Sequence, residues 1–230
     1  MDRRKTLGVL YILGAVVLLV TLFTGWYTIS GQVGGSHLSY TLYPYWVQDS
    51  SPSSNGQTSY SAVDLGQTGG LYSIVTVLAL SAATLGLVIG FLALTAVGLR
   101  RAKALLVLSL VTTAIAVAAP ALVAAGQPAA VCSDSQHFSP PLGAPSTASS
   151  SDGASCTWEF YSDGVWYGTG QPTGPGNSFV GQSGLYGNSL AWGPSTGWYL
   201  AIASAGVIAA ATALRTSSRS PAETARLTPV

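Results

Sequence analysis

Four stretches of the chain contain no Asp, Glu, Lys, Arg or His and are dense in Leu, Val, Ile and Ala: residues 6–29, 71–99, 104–125 and 198–214. A helix needs roughly 17 to 25 residues to cross the hydrocarbon core of a bilayer, and each stretch reaches that length. The fourth is the shortest and least hydrophobic, because Ala201, Ala203, Ala205, Ala209, Ala210, Ala211 and Ala213 each contribute little transfer energy. For that stretch alone, a buried helix of a soluble domain is the alternative. The first could be a signal peptide, since Arg3, Arg4 and Lys5 precede it. Its apolar run continues to Phe23, beyond the roughly 7 to 15 residues of a signal core, and ends in Trp26 and Tyr27 without a small-x-small cleavage pattern. It therefore reads as a retained anchor. Only 7% of the residues are charged, against roughly 25% for a soluble domain, which excludes an ordinary cytosolic protein.

The nine basic residues set the orientation. Arg3, Arg4 and Lys5 precede the first stretch, Arg100, Arg101 and Lys103 fall between the second and third, and Arg215, Arg219 and Arg226 follow the fourth. Four crossings put all three places on one side, and the positive-inside rule makes that side the cytoplasm. The expected layout is a cytoplasmic N-terminus at 1–5, a first crossing at 6–29, an outer loop at 30–70 and a second crossing at 71–99. A cytoplasmic turn at 100–103, a third crossing at 104–125, an outer loop at 126–197, a fourth crossing at 198–214 and a cytoplasmic tail at 215–230 follow. The cytoplasmic parts, about 25 residues in all, are too small to fold a nucleotide-binding domain, since a stable core usually requires well above 40 residues.

The two outer loops contain no Lys or Arg but carry Asp49, Asp64, Asp134, Asp152, Glu159 and Asp163. Trp26, Tyr27, Tyr72, Trp198 and Tyr199 stand where an interfacial aromatic belt is expected. Tyr43, Tyr45, Trp46, Trp158, Tyr161, Trp166 and Tyr167 are too far along the chain from a crossing for that role. They form either the core of a cap or an interaction surface. The run HLSYTLYPYWVQ at 37–48 predicts a strand, and TWEFYSDGVWYG at 157–168 predicts a hairpin turning at Ser162, Asp163 and Gly164. An isolated hairpin is marginal in water, so the two segments are expected to pair in one small sheet over the bundle mouth. The Ser- and Pro-rich stretches at 50–59 and 139–155 read as loops. GQTGGLY at 66–72 and GQSGLYG at 181–187 form a faint internal echo.

Cys132 and Cys156 are the only cysteines and share the second outer loop. On an oxidising side of a membrane such a pair reads as a disulfide, worth roughly 3 kcal/mol for a ring of this length. Free thiols or a metal pair are the alternatives, but no further Cys or His cluster completes a zinc-like set. His37 and His137 lie one in each outer loop and read as exposed and unliganded. Phosphate-binding loops, zinc-protease motifs and nucleophile elbows are absent from the sequence, and no metal or cofactor is expected.

The crossings contain no ionisable group, which disfavours an ion or proton pump. Ala82, Gly86 and Gly90 recur at four-residue spacing, as do Ala205, Ala209 and Ala213, giving small faces on which helix backbones can approach. Their partner is either another crossing of the same chain or another subunit. The layout resembles that of claudin-like tetraspan proteins, and Gly164, Val165 and Trp166 resemble their Gly-Leu-Trp loop motif, although the triplet here lies in the second outer loop and follows the cysteines. The resemblance covers topology and those three residues.

The expected fold is a membrane all-α four-helix transmembrane bundle with a small extracytoplasmic β-rich cap formed by the two outer loops. The expected function is non-enzymatic: an aromatic, acidic cap binding another membrane or cell-surface protein, or a second copy in a homo-oligomer, with lipid as the surrounding solvent. A net charge of +1 gives no reason to expect nucleic acid. The alternative is an oligomeric small-solute channel or carrier lined by Thr76, Thr84, Thr112 and Thr113. An outward-acting carbohydrate binder or hydrolase using Glu159 and Asp163 ranks third.

Overall fold

The computed structural model describes residues 3–33, 36–49, 59–62, 66–95, 102–135, 159–162, 165–169, 178–185 and 188–217. Four long helices carry most of them: α1 (Arg3–Thr21), α2 (Gly66–Leu94), α3 (Ala102–Ser135) and α4 (Thr196–Thr216). Strands β1 (Tyr27–Val33), β2 (Ser36–Leu42), β3 (Trp46–Asp49) and β4 (Ser59–Ala62) lie between α1 and α2 in sequence. Strands β5 (Glu159–Ser162), β6 (Val165–Thr169), β7 (Gly181–Leu185) and β8 (Asn188–Pro194) lie between α3 and α4. The chain divides into two compact units, one of Met1–Val20, Val77–Ala119 and Leu200–Val230, the other of Thr21–Thr76 and Pro120–Tyr199.

Among the described residues, three helical segments are long and apolar enough to cross a membrane: Gly66–Leu94, Lys103–Val131 and Thr196–Thr216. The apolar part of the first helix, Lys5–Thr21, is shorter. It stops eight residues before the expected end at 29 because the chain turns out of the helix there. The Thr21 carbonyl accepts both the Thr24 hydroxyl at 3.0 Å and the Trp26 indole N–H at 2.8 Å. Conversely, α3 runs ten residues past the expected end at 125, through Pro120 and Pro128. Proline removes one backbone donor and normally ends or kinks a helix unless tertiary packing supports it. The second helix begins at Gly66 rather than 71.

In the first unit the buried residues recur every three or four positions, as two-turn helix packing requires. They are Tyr11, Ala15 and Leu18 on α1, Ala79, Ala82, Ala83 and Ile89 on α2, Ser109, Thr112 and Ala116 on α3, and Ala201, Ser204, Ile208 and Ala211 on α4. The Tyr11 hydroxyl meets Thr212 Oγ1 at 2.7 Å, and Thr212 Oγ1 meets Thr113 Oγ1 at 2.9 Å, joining three helices through hydroxyls. Ser204 donates to the Gly14 carbonyl at 2.7 Å, tying α4 to α1 a second time.

The second unit contains a six-stranded antiparallel sheet in the order β4-β3-β2-β1-β8-β7. Strand β1 lies at its centre, pairing Tyr27 with Leu42 of β2 on one side and with Pro194 of β8 on the other. This corrects the expected pairing. The 37–48 segment contributes β2 and part of β3 and pairs with β1 and β4, whereas the 157–168 hairpin forms β5 and β6 as a separate two-stranded sheet. The partner that β1 takes instead, β8, reads as Gly- and Pro-punctuated sequence with weak strand character. The internal echo also separates in structure, since Gly66–Tyr72 is helical and Gly181–Leu185 is strand.

Candidate functional site

The second unit is organised around a corner at the end of α1. Trp26 is fully buried. Its backbone N–H donates to the Leu42 carbonyl at 2.8 Å, its carbonyl accepts from Ser195 N–H at 2.9 Å, and its indole N–H reaches Thr21. Gly197 N–H donates to the Gly25 carbonyl at 2.8 Å. A Cβ on Gly197 would stand 2.8 Å from that same carbonyl oxygen and 2.7 Å from the Trp26 ring, so glycine is what allows α4 to begin so close to the corner. One tryptophan thereby joins the end of α1, β1, β2 and the approach to α4.

Beside the corner an aromatic chain runs from Tyr27 to Phe179, with centroids 5.5 Å apart, and from Phe179 to Trp198 at 5.3 Å. Trp198 donates its indole N–H to the Pro120 carbonyl at 3.0 Å.

The start of α2 is held by the end of α3. Asp134 Oδ1 accepts from Gln67 N–H at 2.8 Å and Oδ2 accepts from Thr68 N–H at 2.7 Å. Both are first-turn donors without partners inside the helix, and a carboxylate there also faces the positive end of the helix dipole. Gly66 has φ near +31° and places its missing Cβ only 2.8 Å from Asp134 Oδ1, so a side chain would be strained and obstructive. Asp134→Ala is expected to destabilise the protein by about 1–2 kcal/mol, as loss of a strong helix cap does. Asp134→Asn, whose single carboxamide oxygen can accept but whose NH2 cannot, should fall between the two. The order of thermal midpoints in detergent, wild type above Asn above Ala, checks this.

Tyr27, Tyr72 and Gln127 stand out chemically. Both phenol oxygens and both amide atoms of Gln127 are buried without a hydrogen-bond partner. In folded proteins the great majority of buried polar side-chain atoms are paired, so each exception requires an explanation. Gln127 escaped the sequence reading because the Gly126-Gln127-Pro128 triplet reads as the end of a crossing. The usable signal was periodicity: Ala116, Ala119, Val123, Gln127 and Ala130 continue one buried stripe.

The residues singled out from sequence are scattered. Tyr43 is half-buried and Tyr45 exposed beyond the end of β2, with Pro44 buried between them. Trp46, Tyr161, Trp166 and Tyr167 lie on described strands, but their side chains, and Trp158 altogether, fall outside the described residues. The same holds for the side chain of Cys132 and all of Cys156, so the disulfide lies outside the described residues. His37 is exposed on β2, Glu159 is on β5, and His137 and Asp163 lie outside the described residues. Ala82, Gly86 and Gly90 are buried on α2, where Gly86 and Gly90 meet α1. On α4, Ala205 is buried but Ala209 is half-buried and Ala213 exposed, because the buried stripe drifts to Ile208, Ala211 and Thr212. Compared by sequence with models of protein families and with curated proteins, the chain matches none of either.

Proposed function

We propose that the chain is a four-crossing integral membrane protein with both ends cytoplasmic, and that it works without catalysis, as an interaction or assembly protein whose outer β-rich unit engages another membrane or cell-surface protein. The observation that carries this reading is which side chains the helices leave uncovered. Val9, Leu13, Val16 and Val20 on α1, Val77, Val88 and Phe91 on α2, Val107, Leu110 and Val117 on α3, and Ile202 and Leu214 on α4 are all exposed. Helices that leave this many large apolar side chains uncovered along their length are matched to hydrocarbon, since soluble proteins rarely expose large contiguous apolar surfaces. The predominantly apolar helix Lys5–Thr21 lies at the lower length limit for a crossing, and the aromatic corner at Trp26 continues the chain at interface depth.

Solute transport has less support. The hydroxyls of Thr76, Thr112 and Thr113 each donate to a carbonyl one turn back on their own helix, at 2.8, 2.8 and 2.9 Å. That is how threonine is accommodated in an apolar helix. The six-stranded sheet, which joins strands from before α2 and from after α3, is the element through which a partner would be engaged.

With Cys132 and Cys156 replaced, an impermeant thiol reagent on intact cells is expected to label Ser54→Cys and not Ser218→Cys; the reverse pattern overturns the orientation. For function, a defined partner crosslinked at Tyr45 in native membranes should be lost on Tyr45→Ala. Solute flux in liposomes by the purified chain alone would instead favour transport.

A further inference from the structure

We infer that Tyr27, Tyr72 and Gln127 form an internal binding site for a small neutral hydroxyl-bearing molecule, either water or a small alcohol or polyol. Tyr27 is on β1, Tyr72 on α2 and Gln127 on α3, and all three are at most 1% exposed. Their four polar atoms lack partners. Leaving a buried donor or acceptor unpaired forfeits its hydration without return, and four such atoms in one unit call for a guest that pairs them.

The packing brings the groups to one level. Helices α2 and α3 run antiparallel here, with Asp134 on the Gln67 and Thr68 amides and Leu71 against Gly126, where a Cβ would lie 3.1 Å from Leu71 Cδ1. Tyr72 and Gln127, each next in sequence to this contact, are therefore buried on neighbouring turns of the two helices. Tyr27 is brought beside α3 through Phe179 and Trp198, whose indole N–H is held on the Pro120 carbonyl.

The chemistry selects a neutral guest. Each phenol offers one donor and accepts in return, and the carboxamide offers two donors and an acceptor. A hydroxyl can donate to Gln127 Oε1 while accepting from a phenol, which satisfies both sides. All four unpartnered atoms belong to uncharged groups, so a buried ion would be desolvated with no opposite charge among them, whereas a neutral hydroxyl would not. The Phe179 and Trp198 rings beyond Tyr27 offer apolar faces to the C–H groups of an alcohol.

The sign of a stability change tests this on the full chain in detergent. With a guest bound, Tyr27→Phe, Tyr72→Phe and Gln127→Met should each lower the thermal midpoint, and paired variants should lose less than the sum of the singles because they share one network. If the groups are unpaired, each variant removes an unsatisfied atom, so midpoints that rise or stay level, additively, overturn the inference. Should Gln127→Met not accumulate, the Tyr27 and Tyr72 pair decides alone. Ethylene glycol then separates the sources. A saturable rise in midpoint, present in wild type and absent in the triple variant, assigns an alcohol. An equal, non-saturating response in both, with coupling retained, assigns water.

Discussion

Gly90→Leu is expected to separate α1 from α2 and leave little folded protein. A Cβ at position 90 would stand 2.9 Å from the Gly8 carbonyl oxygen, 3.2 Å from Ile12 N and 2.6 Å from Ile12 Cγ1. Two of those atoms are backbone and cannot rotate away, and Gly8 is equally confined, its own missing Cβ lying 3.0 Å from the Gly90 carbonyl. The crossing must therefore open, at a cost at or above the upper end of the about 1–3 kcal/mol typical of overpacking. Gly90→Ala should give an intermediate loss. Gly206→Leu on α4 is the control, because nothing lies within 4 Å of its Cβ position; it should be neutral or slightly stabilising, since leucine favours the helix over glycine. Monodisperse yield and thermal midpoint in detergent report all three.

Trp26→Ala should dismantle the sheet while sparing the helices. Truncating a fully buried tryptophan costs about 3–5 kcal/mol, and here it also removes the indole donor from Thr21 and empties the junction of α1, β1, β2 and the approach to α4. Near-UV circular dichroism should lose its aromatic signal with the far-UV helical signal largely kept. Trp26→Phe retains most of the packing but not the hydrogen bond, so a smaller loss, about 1 kcal/mol, is expected. Equal effects of the two substitutions would mean that the indole N–H, not the ring volume, holds the corner.

The helices were legible because a charge-free apolar run of crossing length has few other outcomes. Their ends were not, because those depend on partners distant in sequence. Asp134, read as one more loop acid, sets the start of α2, and α3 continues through Pro128 because packing in the second unit outweighs a residue that ends isolated helices. The aromatic hairpin at 157–168 was recognisable from local turn chemistry, which decides whether two neighbouring strands fold back on each other. Which strand lies beside β1 is a question of assembly, and β8, with Gly193 and Pro194 near its end, carries little signal of its own. The unpaired polar atoms were invisible for a related reason. A tyrosine at the edge of an apolar run reads as an interfacial anchor, and only the three-dimensional neighbourhood reveals that Tyr27 and Tyr72 are fully buried with unpaired hydroxyls.

The central place of β1 also sets an order of events during synthesis. Its first neighbour, β2, follows at once, but β8 is separated from it by about 160 residues of chain, a long-range pairing of the kind that slows folding. As the nascent chain leaves the ribosome, β1 therefore waits as an open edge while α2 and α3 are made. The sheet can close only when β8, just before α4, has been made. A chain arrested anywhere before Asn188 would keep that edge of β1 unfilled.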